Sequence, residues 1–254
     1  IGFAGEEEQD TGNGWSMNDG LTFSATTELD NGMTVTATQI IDSSDGAAGA
    51  IMDTRILTVD MGDNGVFTFS GTGGSSVLGM IDDTTPTAYE ESWDMITGAD
   101  IRVTGIGGDN MMHYAKSDIL MDGLTLSASY IPSDNQTQIE SSSDYGLKYV
   151  SEMDSGTLTV NAATGETNAT ANTVDKTIMG ANFASETGFS IGITMSEHDS
   201  EEANADKDFQ AVGLSYALTP ETSVSVNTST VEFESTSKSD QEATSFSVSH
   251  VMGS

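Results

Sequence analysis

The chain has 254 residues, no Cys and a formal net charge of -33, with 7 Lys and Arg against 40 Asp and Glu. Without Cys there is neither a disulfide framework nor a thiolate metal site. The shortage of Lys and Arg excludes nucleic acid, whose phosphates need clustered basic side chains, and a polybasic lipid-binding surface.

Acidity with abundant Ser, Thr, Asn and Gly would suit a disordered chain, but apolar and polar residues alternate in segment after segment, the period of a β-strand. In 21–29 (LTFSATTEL), Leu21, Phe23 and Ala25 share one face, and Thr22, Ser24 and Thr26 the other. In 124–130 (LTLSASY), Leu124, Leu126, Ala128 and Tyr130 alternate with Thr125, Ser127 and Ser129. A weaker example is 157–162 (TLTVNA), followed by 189–195 (FSIGITM), with Phe189, Ile191, Ile193 and Met195 on one face. In 212–218 (VGLSYAL) the apolar set is Val212, Leu214, Tyr216 and Leu218, and 246–252 (FSVSHVM) is again weaker. The face opposite the apolar one is small: Gly192 and Gly213 lie there, with Ser, Thr and Ala elsewhere.

Connections alternate between short and long. The short ones are Asp30-Asn31-Gly32, Asp63-Asn64-Gly65, Asp122-Gly123, Asp154-Ser155-Gly156, Glu186-Thr187-Gly188 and Thr219-Pro220-Glu221. Gly or Asn supplies positive φ in such turns, and Pro pre-sets φ. The long ones, 5–14, 42–50, 132–144, 165–175, 197–208 and 233–242, are polar and acidic, and 73–110 is much longer than the rest. Tight turns at one end and loops at the other describe an up-and-down meander, the pattern of a transmembrane β-barrel. No run of about 18 apolar residues is present, so no transmembrane helix is predicted. The expectation is an all-β, antiparallel barrel of about fourteen strands over 1–254, with Leu21, Phe23, Leu124, Leu126, Phe189, Ile191, Val212 and Leu214 facing lipid or a neighbour. Thr22, Ser24, Thr125, Ser127, Gly192 and Gly213 would face the lumen. A soluble sandwich is the rival fold, but it would mix turn lengths at both ends and use Greek-key crossovers.

Three stretches resemble the general porins of Gram-negative bacteria, especially the alphaproteobacterial kind. They are 18–37 (NDGLTFSATTELDNGMTVTA), 53–72 (DTRILTVDMGDNGVFTFSGT) and 101–130 (IRVTGIGGDNMMHYAKSDILMDGLTLSASY). The similarity covers most of the length as a topology and only these stretches as sequence. It implies an outer-membrane barrel of about sixteen strands, a homotrimer, and a third extracellular loop folded inward with acids facing bases on the wall. The family continues past the position of Ser254 with another hairpin that ends on an aromatic residue, so either two further strands follow, the favoured expectation, or the barrel is smaller. The opening at Ile1, without a signal peptide, reads as a mature chain.

On this resemblance the connection 73–110 is the inward constriction loop, its acids being Asp82, Asp83, Glu90, Glu91, Asp94 and Asp100. Asp82, followed by Thr87-Ala88-Tyr89, matches the family's constriction acid. Arg55 and Arg102 stand where the family carries wall arginines, and a strand charge facing lipid near the midplane costs about 2–4 kcal/mol, so both should face the lumen, as should Lys116 and Lys148. His113, His198 and His250 have no metal-ligand spacing, and no nucleophile elbow is present, so neither an enzyme nor a resident cofactor is expected. The outer acidic loops offer oxygen ligands for weak Ca²⁺ or Mg²⁺ binding. The function read from this is a porin for passive diffusion of small hydrophilic solutes, preferring cations because acids outnumber bases. The rivals are a non-conducting barrel, anchoring or receiving partners by its acidic loops, and a soluble acidic adhesin.

Overall fold

The computed structural model of the chain describes residues 2–3, 15–16, 20–41, 52–89, 91–95, 107–132, 139–170 and 172–252. Thirteen strands form one antiparallel sheet in strict chain order, close to the number expected. They are β1 (Leu21–Glu28), β2 (Thr34–Ile41), β3 (Met52–Asp60), β4 (Val66–Thr72), β5 (Met111–Lys116), β6 (Leu124–Pro132) and β7 (Ile139–Met153). Then follow β8 (Gly156–Ala169), β9 (Thr173–Ser185), β10 (Phe189–Ser200), β11 (Lys207–Thr219), β12 (Thr222–Phe233) and β13 (Gln241–His250). The one α-helix among the described residues, α1 (Val77–Ile81), lies in the connection between β4 and β5. No helix among the described residues is long and apolar enough to cross a membrane.

The short connections fall where the sequence places them. Between β1 and β2 the chain reverses through Gly32 at φ 83°, and the Leu29 N–H donates to the Met33 carbonyl at 2.8 Å. The long connections are shorter than expected. β8 runs to Ala169 and β9 starts at Thr173, β10 runs to Ser200 and β11 starts at Lys207, and β7 already begins at Ile139.

Directly opposed residues in an antiparallel sheet share a face, so register assigns faces across the whole sheet. Thr26, Thr36, Thr58, Thr68, His113 and Ser129 form one unbroken row from β1 to β6. On the other face Ala25, Ala37, Leu57, Phe69, Met112 and Tyr130 form the matching row. The second face is apolar and exposed: Leu21, Phe23, Leu126, Phe189, Ile191 and Leu214 all project there. Thr22, Ser24, Thr125, Ser127, Gly192 and Gly213 take the first face, as the alternation predicts.

On β8–β13 the apolar face changes character toward the long-connection end. Glu166, Asp175 and Asp199 are in register on three strands, and Glu197, Asp208 and Glu232 on three. Like charges directly opposite are destabilising, so this acidic row belongs in water, beyond the edge of the apolar band. The strands therefore continue past the point where their outward residues stop being apolar.

The buried apolar residues lie between the first face and the β4–β5 connection. One cluster joins Val77, Leu78 and Ile81 to Ala163 and Ile178. The other joins Trp93 to Phe209, Ala211 and Val231.

Candidate functional site

The segment from Ser76 to Met95 crosses the first face of the sheet, hereafter the loop face. The Ser76 hydroxyl caps α1 by accepting from the Gly79 N–H at 3.4 Å. The next two amides donate to the sheet: Val77 to the Ser129 hydroxyl on β6 and Leu78 to Asp144 Oδ2 on β7, both at 3.0 Å. The Ser129 hydroxyl itself donates to Asp144. Asp144 is buried, and these donors are what let a carboxylate sit there, since a buried charge must be hydrogen-bonded.

Further along, Thr84 N–H donates to Thr194 Oγ1 at 3.0 Å and its hydroxyl to the Ile193 carbonyl at 2.9 Å, both on β10. Asn182 on β9 donates to the Thr84 carbonyl at 3.2 Å. The Ala88 N–H reaches Ser225 Oγ on β12 at 2.9 Å. The segment then turns back: Ser92 donates its N–H to Asn227 at 2.5 Å and its hydroxyl to Ser229 at 2.8 Å. Trp93 meets Phe209 edge-on, with ring centroids 5.5 Å apart. Backbone amides of an irregular segment need partners when buried, and the Ser, Thr and Asn side chains of the sheet supply them.

The bed of this segment is a trough of glycines. Gly146, Gly165, Gly180, Gly192 and Gly213 stand one each on β7 to β11. A Cβ at any of the five would come closer than 3.0 Å to the segment: to Val77, Leu78, Thr84, Thr84 with Pro86, and Thr85 with Pro86 respectively. Glycine in a strand weakens it and marks close approach of another backbone. Five on adjacent strands show that the sheet is cut to fit this segment.

Asp82 caps the C-terminus of α1, and Asp83 accepts the Thr85 N–H at 2.8 Å, which tightens the chain behind it. Both are partly exposed, as is Glu91, so the segment carries carboxylates off the sheet. Asp94 lies in the 3-10 turn Ser92–Met95. Glu90, Arg102 and Asp100 lie outside the described residues.

Two basic residues depart from expectation. Arg55 is opposite Gln39 and two residues from Leu57, so it projects from the apolar face, not the loop face. It is exposed, while Thr54 beside it is buried, and its guanidinium carbon would lie 3.7 Å from a Cβ built on Gly71. Ile56 and Leu57 are both apolar, so alternation in the sequence leaves the facing of Arg55 open. Lys116, opposite Leu126, also takes the apolar face, at the turn end of β5. Lys148, opposite Thr125, takes the loop face.

Lys176 and Lys207 went unnoticed in the sequence, and His198 was weighed there only as a metal ligand. Asp144, Gly165, Lys176, His198 and Lys207 are consecutive in register from β7 to β11, which puts Lys176, His198 and Lys207 side by side on the loop face. His198 and Lys207 sit in what reads as a loop, and Lys176 borders another. Among the described residues no group of three or more His, Asp or Glu stands in a metal-binding arrangement.

The family model of Gram-negative porins matches residues 2–254. No curated protein matches the sequence. Among solved structures, the trimer form of OmpT, an outer-membrane protein of Vibrio cholerae, is similar at 15% identity, over 93% of this chain and 77% of that one, with a TM-score of 0.63. A porin of Rhodopseudomonas blastica is similar at 14% identity over 96% and 94%, with a TM-score of 0.51. An anion-selective porin from Comamonas acidovorans is similar at 12% identity over 92% and 89%, with a TM-score of 0.50.

Proposed function

Because the chain belongs to the Gram-negative porin family, outer-membrane β-barrels that act as channels, we propose that it passes small polar solutes by passive diffusion, with preference for cations. The loop face lines the channel and the apolar face meets the membrane. The observation that carries the reading is the segment Ser76–Met95, held across the loop face by the glycine trough and by side chains of β6 to β12. A segment so placed narrows a barrel lumen from within, and it brings Asp82, Asp83 and Glu91 into the path.

Barrel fold alone does not set the sign of selectivity, since one of the similar porins is named for anions. Here the sign follows from charge. The chain carries 40 acids against 7 Lys and Arg, and Arg55, an expected wall base, lies on the other face. A path lined by carboxylates concentrates cations and repels anions, and the effect is screened over about 8 Å at 0.15 M salt.

Arg55 also supports assembly as a homotrimer. It sits among Phe23, Leu57 and Phe69 on a face with Leu21 and Phe23 exposed. Against lipid such a charge costs about 2–4 kcal/mol. A neighbouring copy that covers β1–β4 and offers an acceptor removes that cost.

The test is reversal potential across a planar bilayer under a KCl gradient. The unmodified protein is expected to prefer K⁺, and Asp82→Asn with Asp83→Asn to weaken that preference without loss of the barrel. Anion preference, or no change in the double variant, contradicts the reading. A membrane that stays non-conducting favours the non-conducting anchor instead.

A further inference from the structure

The turn 117–123 between β5 and β6 has an apolar tip, Ile119-Leu120-Met121. The other short turns at that end of the sheet have polar tips: Asp30-Asn31-Gly32, Asp63-Asn64, Asp154-Ser155, Glu186-Thr187-Gly188 and Pro220-Glu221. Leu120 is 93% exposed and Met121 56%. Leu120 also stands at φ 105°, a backbone conformation that a bulky side chain rarely adopts. Hydrogen bonds fix the turn in this form. The Ile119 N–H donates to the Leu124 carbonyl at 3.1 Å, the Leu124 N–H to the Met121 carbonyl at 3.3 Å, and the Gly123 N–H to Asp118 Oδ1 at 2.7 Å. A residue held against its own preference is a pointer to function, and here the strained residue presents apolar surface outward.

The surroundings of the turn identify what meets it. The apolar face continues down to this end of the sheet. Tyr114 stands between Phe67 and Ala128 on that face, Tyr149 opposite Leu124, and Tyr216 opposite Phe189. Tyrosines along the edge of an apolar band mark the membrane–water interface. Lys116, the last residue of β5, faces the same way opposite Leu126. A lysine on an apolar face suits the level where its stem lies along acyl chains and its ammonium reaches lipid phosphates. The tip begins just beyond Lys116, within about 10 Å of it along the chain at roughly 3.3 Å per residue. Asp118 and Asp122 flank the tip, and carboxylates at its base hold it at headgroup depth, short of the acyl core.

We propose that Leu120 and Met121 form a wedge that inserts into the leaflet on the turn side, at the boundary between phospholipid headgroups and acyl chains. The partner is the lipid surface itself, on the side where such barrels carry their short turns. Burial of the two side chains there removes the apolar surface that the turn otherwise exposes to water. The wedge fixes the depth of the β5–β6 hairpin, and β6 carries Ser129, which accepts the Val77 N–H where the segment begins its crossing. It rests on the reading that the apolar face meets the membrane, and it is independent of conduction.

The chain has no Cys, so Leu120→Cys, Leu126→Cys and Asp63→Cys each supply a single thiol for a nitroxide spin label. The full chain is placed in vesicles of phosphatidylethanolamine with phosphatidylglycerol. Relaxation of each label is measured with oxygen, which concentrates among acyl chains, and with a water-soluble nickel chelate. The ratio of oxygen to nickel effect should be several-fold higher at Leu120 than at Asp63, on a polar turn, and should approach that at Leu126, on the apolar face. Met121→Cys reports the same tip if Leu120→Cys does not fold. A ratio at the tip equal to that at Asp63 puts it in water and overturns the wedge. Low access to both reagents puts protein over the tip and overturns it too. Nickel access at Leu126 rejects the membrane-facing reading of the apolar face, and the wedge with it.

Discussion

Strands β1 and β2 have 8 residues each, while β7 and β8 have 15 and 14, and the difference in length goes with a difference in what the loop face holds. Under β7–β11 that face is cut by five glycines and covered by the segment Ser76–Met95. Over β1–β4 it holds hydroxyl pairs such as Thr26 with Thr36, at 3.0 Å. The long strands owe their extra residues to work beyond the apolar band: they carry the acidic row outside and the Lys176–His198–Lys207 row inside. The short strands carry their special residue, Arg55, on the outside. One side of the sheet holds the segment Ser76–Met95; the other, on the proposed trimer, meets a neighbour.

That contrast breaks first at the glycine trough. Gly192→Val places side-chain atoms where Thr84 and Pro86 lie. Overpacking of this kind costs about 1–3 kcal/mol, so the unfolding midpoint in detergent should fall. Thr36→Val, on the uncovered half, loses one exposed hydrogen bond and should cost less than ~1 kcal/mol. Equal losses at the two positions would erase the distinction between the halves.

Asp144→Ala comes next. It leaves the Leu78 N–H and the Ser129 hydroxyl without their acceptor, a local cost of about 1–3 kcal/mol that falls on α1 alone. The barrel should survive, while limited proteolysis within 76–95 should speed up. Unchanged proteolysis would mean that α1 is held by apolar packing, without need of Asp144.

Arg55→Leu sharpens the comparison by its sign. If a neighbouring subunit covers β1–β4, the change leaves an acceptor unmatched and the trimer should dissociate at lower temperature. If lipid covers that face, the same change should stabilise the protein by up to about 2–4 kcal/mol.

The sequence carried the meander, the facing of most strands and the family resemblance, because apolar alternation and tight turns are local signals. It misplaced strand ends for a physical reason. Alternation is visible only where the outer face is apolar, and Glu166, Asp175, Glu197 and Asp208 continue the strands with both faces polar. The basic row was hidden by the same effect, since His198 and Lys207 lie in those extensions. Arg55 was misassigned because Ile56 and Leu57 put apolar residues on both faces. The glycines were legible as a small polar face, but their partner was not, because the segment is distant in sequence from the sheet it lies on: Val77 is 52 residues from its acceptor Ser129.

If Ser76–Met95 stands in the conducting path, a bulky group attached to it must reduce the current. The chain has no Cys, so Asp83→Cys introduces a single thiol on that segment. The direct measurement is single-channel conductance of this variant before and after a bulky, charged thiol reagent. A stepwise fall in conductance is expected as each pore is modified. Unchanged conductance, with mass measurement confirming full modification, would contradict it.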